Sequence, residues 1–183
     1  MIDLSWITPW PSPEAPSYGP FGVRGLEIGG GPHARRLRCR QFDSIDWSER
    51  TGLSYDLGDA RGLPYEDGSF EYVFASNLLE HFPPDETTAV LTEWARVLVP
   101  EGVMELVVPD TLEILRRYFR GEDPWPECQE RLLGSEDYDG NRHYNAFTLS
   151  EFPEVVARVP ALRLHRCEPC HGNCGVYTLL ERR

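Results

Sequence analysis

From residue 25 onward, short apolar runs alternate with stretches in which apolar residues recur every three or four positions. The runs at 25–29, 41–46, 54–58, 71–76 and 103–108 predict strands. Val90, Leu91, Trp94, Val97 and Leu98 share one helical face, and they predict a helix over 84–98 with Asp85 and Glu86 in its first turn and Pro100 and Gly102 closing it. A second helix is expected over 111–120, with Leu112, Leu115 and Phe119 on one face. A third is expected over 148–158, capped by Thr148 or Ser150 with Glu151 following. Residues 121–146 read as a polar, aromatic-bearing loop. Strands alternating with helices imply an α/β domain built on a parallel sheet.

The end of the chain breaks this rhythm. Residues 161–167 and 175–181 read as two strands joined by EPCHGNC, which is too short for a parallel crossover, so they form an antiparallel hairpin. The expected architecture is therefore α/β, three-layered and Rossmann-like, with a mostly parallel sheet that ends in an antiparallel hairpin. It occupies residues 23–183. Ahead of it, residues 1–22 hold five prolines and four aromatics, which rules out a continuous helix. They predict an irregular arm that packs across one face or covers the crevice as a lid.

Length and charge narrow the classes. A chain of 183 residues is expected to form one domain with a full core. A net charge of −12 disfavours bulk nucleic acid, whose grip needs a basic surface. The local run Arg35, Arg36, Arg38 and Arg40 reads as a solvated face, although it leaves room for a small anionic substrate. All eighteen basic residues are arginine, so Schiff-base, pyridoxal and P-loop lysine chemistry are absent. No apolar run is long enough for a membrane span, and no secretory signal is recognisable. A cytoplasmic location with reduced cysteines is the expectation.

Two segments carry the chemistry. GLEIGGG at 25–31 is an apolar strand running into three glycines, where the backbone can turn tightly and approach a ligand. GDARGLPYEDGSFEYVFASNLLEHF at 58–82 puts Asp59 beyond one strand and Asn77 at the end of another. Glu27, Asp46 nineteen residues later, and Asp59 then sit at successive strand ends, where an open parallel sheet forms its ligand crevice. Asp46 suits ribose hydroxyls, Asp59 an adenine amino group, the Ala60 backbone a ring nitrogen, and Trp47 a stacking surface. Each has a plainer role as a cap, turn or surface residue; the three together favour a nucleoside site.

These residues resemble the class I S-adenosylmethionine-dependent methyltransferases, in particular a small group whose first helix is shortened. The resemblance rests on LEIGGGP at 26–32, FDSIDWS at 42–48, DARGLPYEDGSFEYVFASNLLEHF at 59–82, EWARVLVPEGVMELVVPD at 93–110 and NRHYNAFT at 141–148. It implies a seven-stranded sheet and S-adenosylmethionine as cofactor. It also implies that Glu27, Gly29, Gly30 and Gly31 surround the methionine portion, Asp46 the ribose, Trp47 the adenine face, and Asp59 with Ala60 the adenine edge. Ser76 and Asn77 are implied to lie beneath the sulfonium. Glu101 stands where the family has glycine or a small residue, and Gly30 replaces a frequent cysteine or serine. Carboxylates around the crevice also suit a cationic cofactor better than a pyrophosphate.

Methyl transfer to an oxygen acceptor usually needs a base, and His143 and His81 are the candidates. His143 lies among Tyr138, Asn141, Arg142 and Tyr144, a mixture suited to a polar acceptor; His81 has a packing role as its alternative. The expected partner is a small-molecule acceptor for O- or N-methylation. CEPCHGNC at 167–174 matches the haem-attachment pattern, but a hairpin turn without an export signal contradicts that reading. Zinc on Cys167, Cys170, His171 and Cys174 and a disulfide remain open, free thiols are the expectation, and no metal is assigned. Two rival functions stand: a nicotinamide-dependent oxidoreductase, because Gly29-x-Gly31-x-x-Ala34 fits the dinucleotide fingerprint, and a non-catalytic methyltransferase-like scaffold.

Overall fold

The structure, a computed structural model, describes residues 23–30, 41–46, 56–135, 140–170 and 174–183. The expected arm at 1–22, the arginine run at 35–40, Gly31, Trp47, Tyr138 and His171 lie outside the described residues. Seven strands form one sheet: β1 (Arg24–Ile28), β2 (Gln41–Asp46), β3 (Asp56–Leu57), β4 (Phe70–Ser76), β5 (Leu98–Pro109), β6 (Leu162–Cys170) and β7 (Gly175–Arg182). Their order is β3-β2-β1-β4-β5-β7-β6. β1 to β5 pair in parallel, whereas β7 runs antiparallel to both β5 and β6. Strand order reverses between β1 and β4, so the carboxyl ends of those two strands flank the crevice.

Side-chain alternation sorts the sheet into two faces. Val73 and Ala75 of β4 and Met104 and Leu106 of β5 join one large apolar cluster, whereas Tyr72, Phe74, Val103 and Val107 join another. Helix α1 (Thr87–Arg96) lays Val90, Leu91 and Trp94 on the first face, and α4 (Phe152–Ala157) adds Phe152 and Val156. Trp94 is fully buried and donates its Nε1–H to the Ala60 carbonyl at 2.9 Å. Truncating such a residue to alanine costs on the order of 3–5 kcal/mol.

Four expectations change. The helix expected over 84–98 is α1, Thr87–Arg96, because the Pro83–Pro84 start is taken up by a turn in which the Glu86 N–H bonds to the Pro83 carbonyl at 3.0 Å. At its other end Leu98 pairs with Phe70, so Pro100 and Gly102 lie inside β5 rather than closing a helix. Glu101 takes φ +63° there, a left-handed conformation that glycine adopts freely and a side chain resists. The loop expected over 121–146 contains α3 (Trp125–Leu133), whose apolar positions are weak but whose entry is held by ion pairs. Asp123 accepts from Arg117 of α2 (Thr111–Phe119) at 2.8 and 2.9 Å, and Glu127 pairs with Arg131 one turn on.

The third helix is shorter than expected, since Thr148 to Glu151 form a turn before α4. The Thr148 hydroxyl accepts from the Glu151 N–H at 3.3 Å and donates to its carboxylate at 2.9 Å. In the closing hairpin, β6 absorbs Glu168, Pro169 and Cys170. Cys167 packs on one face of the sheet and Cys170 joins the cluster on the other, so these two thiols cannot share a tetrahedral ion without breaking strand alternation. Cys128, Cys167, Cys170 and Cys174 form no disulfide.

Candidate functional site

Glu27 sits on β1 between Ser44 of β2 and Phe74 of β4, and is 3% exposed. Asp46 ends β2 and is 9% exposed. Gly29 follows β1 with φ +72°, donates its N–H to the Ile45 carbonyl at 2.8 Å, and has Leu78 only 2.8 Å from where a Cβ would stand. Glycine is therefore required there by both conformation and space. Gly30 continues the loop.

Asp59 lies two residues past β3 and is largely exposed; its Oδ1 accepts from the Arg61 N–H at 2.9 Å, a turn contact rather than the helix cap weighed for it as the plainer role. The turn is anchored from α1. Arg96 donates to the Tyr65 and Leu63 carbonyls and to Asp67, Glu93 accepts from the Leu63 N–H, and Trp94 holds Ala60. The Glu93–Arg96 pair and Trp94 fix the loop that carries Asp59 and Ala60.

At the end of β4, Ser76 has a buried Oγ with no hydrogen-bond partner. Asn77 turns the chain at φ +50°, its N–H bonded to the Val107 carbonyl at 2.9 Å. An orphaned hydroxyl at the end of β4, with buried carboxylates on β1 and β2 of the same sheet, gives these strand ends a polar character suited to a ligand. A cationic molecule bearing hydroxyls and an amine matches that donor and acceptor set.

Immediately beyond, a single 3-10 turn holds Leu79–His81. Segment 142–145 lies against it: the Glu80 carbonyl accepts from the Tyr144 and Asn145 N–H groups at 2.9 and 3.1 Å, and His81 Nδ1 lies 3.0 Å from the Arg142 carbonyl. These contacts bring together two histidines that are far apart in sequence. The rings of His81 and His143 meet edge to face with centroids 4.9 Å apart, and His143 Nε2 lies 4.0 Å from a Glu80 carboxylate oxygen.

Glu80 is the residue that sequence reasoning missed. It is 1% exposed, and neither of its carboxylate oxygens has a hydrogen-bond partner. Burial pushes its carboxyl up to about 8, and the nearby N–H of its own backbone offsets that only in part. Burial first, then His81, pulls His143 down to about 4. Burial also lowers His81, opposed by the carbonyls of Arg142 and Asn77. The available signal was an acidic residue between Leu79 and His81 inside an apolar stretch.

A shallow groove beside this cluster is lined by Pro84, Thr87, Asn145, Phe147 and Glu151 among others, but by none of the strand-end residues. Asn145 fixes its wall by donating to the Thr87 hydroxyl at 2.9 Å. No helix among the described residues is long and apolar enough to cross a membrane.

Residues 28–106 match the family model described as a methyltransferase domain. A stretch of 64 residues is 41% identical to Methyltransferase GfsG of Streptomyces halstedii, covering 33% of this chain and 22% of that protein's length. In fold, the chain is similar to a methyltransferase structure from Methanosarcina mazei, described as S-adenosylmethionine-dependent, at TM-score 0.60 and 17% identity over 90% of this chain and 94% of that one. It is also similar to the Burkholderia thailandensis 1,6-didemethyltoxoflavin-N1-methyltransferase, solved with S-adenosylhomocysteine, at TM-score 0.61 and 14% identity over 88% of this chain and 72% of that one.

Proposed function

We propose that this chain, which over residues 28–106 belongs to the methyltransferase domain family and carries the class I fold, is an S-adenosylmethionine-dependent methyltransferase acting on a small polar acceptor. The observation that carries the reading is the lining of the crevice: buried Glu27 and Asp46, the left-handed Gly29 and the orphaned Ser76 hydroxyl at the carboxyl ends of adjacent strands. S-adenosylmethionine supplies an already activated methyl group. Glu27 with Gly29, Gly30 and Gly31 would hold its methionine portion, Asp46 its ribose, Trp47 the face of its adenine, and Asp59 with Ala60 the adenine edge. Ser76 and Asn77 would lie beneath the sulfonium.

The protein's task is then positioning. Holding an acceptor in line with the reacting bond can contribute on the order of 7–11 kcal/mol. The acceptor side is the Glu80, His81 and His143 cluster beyond β4. As a base, His143 is weak when its pKa is about 4. Its imidazole lone pair nonetheless remains available to orient an acceptor hydroxyl or amine. The nicotinamide alternative loses ground to the family match and to the acidic lining, which repels a pyrophosphate.

The test is transfer of labelled methyl from S-adenosylmethionine to a panel of small hydroxylated and amino compounds. Transfer to at least one of them, dependent on His143, is expected. Binding of S-adenosylmethionine with no transfer to any small, peptide or protein acceptor would favour the scaffold reading.

A further inference from the structure

The Glu80, His81 and His143 cluster has the composition and closeness of an ion site. We propose that these three side chains form a site for a divalent transition cation, with zinc the best match, placed beside the methyl crevice to bind and acidify an acceptor hydroxyl. Their ligating atoms all lie within 4.8 Å of one another. A zinc ion with bonds of about 2.0–2.2 Å needs donors roughly 3.3–3.6 Å apart, so the widest pair must close by about 1.2–1.5 Å.

The independent observation is Glu80 itself. A carboxylate at 1% exposure with neither oxygen hydrogen-bonded is a costly arrangement that a cation directly offsets. The tautomer of His81 also fits. Its Nδ1 faces the Arg142 carbonyl, which can only accept, so Nδ1 carries the proton and Nε2 keeps its lone pair for an ion. Two imidazoles and one carboxylate favour zinc, iron, cobalt or manganese over magnesium and calcium, which prefer oxygen ligands. The hairpin cysteines are poor competitors, since Cys167 and Cys170 occupy opposite faces of the sheet.

Three protein ligands leave positions open for an acceptor oxygen, and a divalent ion lowers the pKa of a hydroxyl bound to it. This role rests on the methyl-transfer reading, and it narrows the acceptor to a hydroxyl compound. In the balanced step the acceptor O–H proton passes to solvent and the new C–O bond forms as the C–S bond breaks. The electron pair stays on sulfur, turning the sulfonium into a neutral thioether.

The experiment is titration of the metal-stripped full chain with Co(II) and Zn(II), without S-adenosylmethionine, read by visible absorption and thermal melting. One equivalent is expected to bind, with a Co(II) spectrum lacking thiolate charge transfer. Glu80→Gln and His143→Ala should each weaken binding by more than about 100-fold, beyond what changes to outer hydrogen-bonding partners cost. Cys174→Ser should leave it unchanged. Stripped Glu80→Gln should melt no lower than stripped wild type, which separates lost binding from lost folding. No binding to wild type, binding retained in both variants, or a thiolate band would overturn the site. A parallel titration with S-adenosylmethionine separates the two readings: cation binding without it would keep the site and remove the methyl-transfer role.

Discussion

Two buried glutamates on neighbouring parts of the fold have opposite surroundings. Glu105, in the middle of β5, accepts hydrogen bonds from the Tyr72 hydroxyl at 3.2 Å and the Tyr177 hydroxyl at 3.0 Å. Glu80, in the turn after β4, is as deeply buried and has no hydrogen bond to either oxygen. Burial raises both carboxyls, Glu105 to about 7 and Glu80 to about 8. The contrast shows that burial alone does not mark a functional carboxylate. Glu105 is satisfied within the sheet, so its cost is a matter of stability; Glu80 is left for something from outside the chain.

The largest effect expected from this contrast falls on catalysis. With an acceptor in hand, Glu80→Gln should lower methyl transfer by at least about 100-fold, the scale on which positioned polar groups and ions act. Glu105→Gln should change it less than about two-fold on the same scale. Steady-state rates with labelled cofactor measure both, and equal losses would erase the distinction.

Next comes the pH dependence of stability. Folded Glu105 holds its proton up to about pH 7, whereas unfolded it releases it near its ordinary value of 4.5. Between those values the native state binds more protons, so stability falls as pH rises and the loss is complete above about 7. A shift of that size corresponds to about 3 kcal/mol. Denaturant melts of wild type and Glu105→Gln should therefore diverge over this window, with the variant flatter and relatively more stable at the alkaline end.

Tyr177→Phe removes one of the two donors to Glu105 and should cost about 1–3 kcal/mol above neutrality, when the carboxylate is charged and short of a partner. The cation affinity at Glu80 should not move. The smallest expected change is at a control position away from both carboxylates. Glu101→Gly relieves the left-handed φ of +63° and should add about 1 kcal/mol by thermal melting.

Much of the fold was legible in the chain because strand and helix periodicities differ and the closing turn was too short for a crossover. The strand ends carrying Glu27, Asp46 and Ser76 followed from the same pattern. The exact extent of α1 was less legible, because pairing of Leu98 with Phe70 outweighs its helical spacing. Helix α3 escaped notice because its apolar positions are weakly periodic and its entry depends on the Arg117–Asp123 ion pair, which no helix-spacing rule anticipates. The cluster beyond β4 was half legible. His81 and His143 were both picked out, but their meeting depends on backbone bonds from segment 142–145 to the Glu80 turn, and no spacing rule connects positions so far apart.

Calorimetric titration of the full chain with S-adenosylmethionine tests the central claim most directly. Saturable one-to-one binding is expected, weakened by at least about ten-fold in Asp46→Ala through loss of charged hydrogen bonds and unchanged in Glu105→Gln. No binding of S-adenosylmethionine, with saturable binding of a nicotinamide dinucleotide instead, would contradict it.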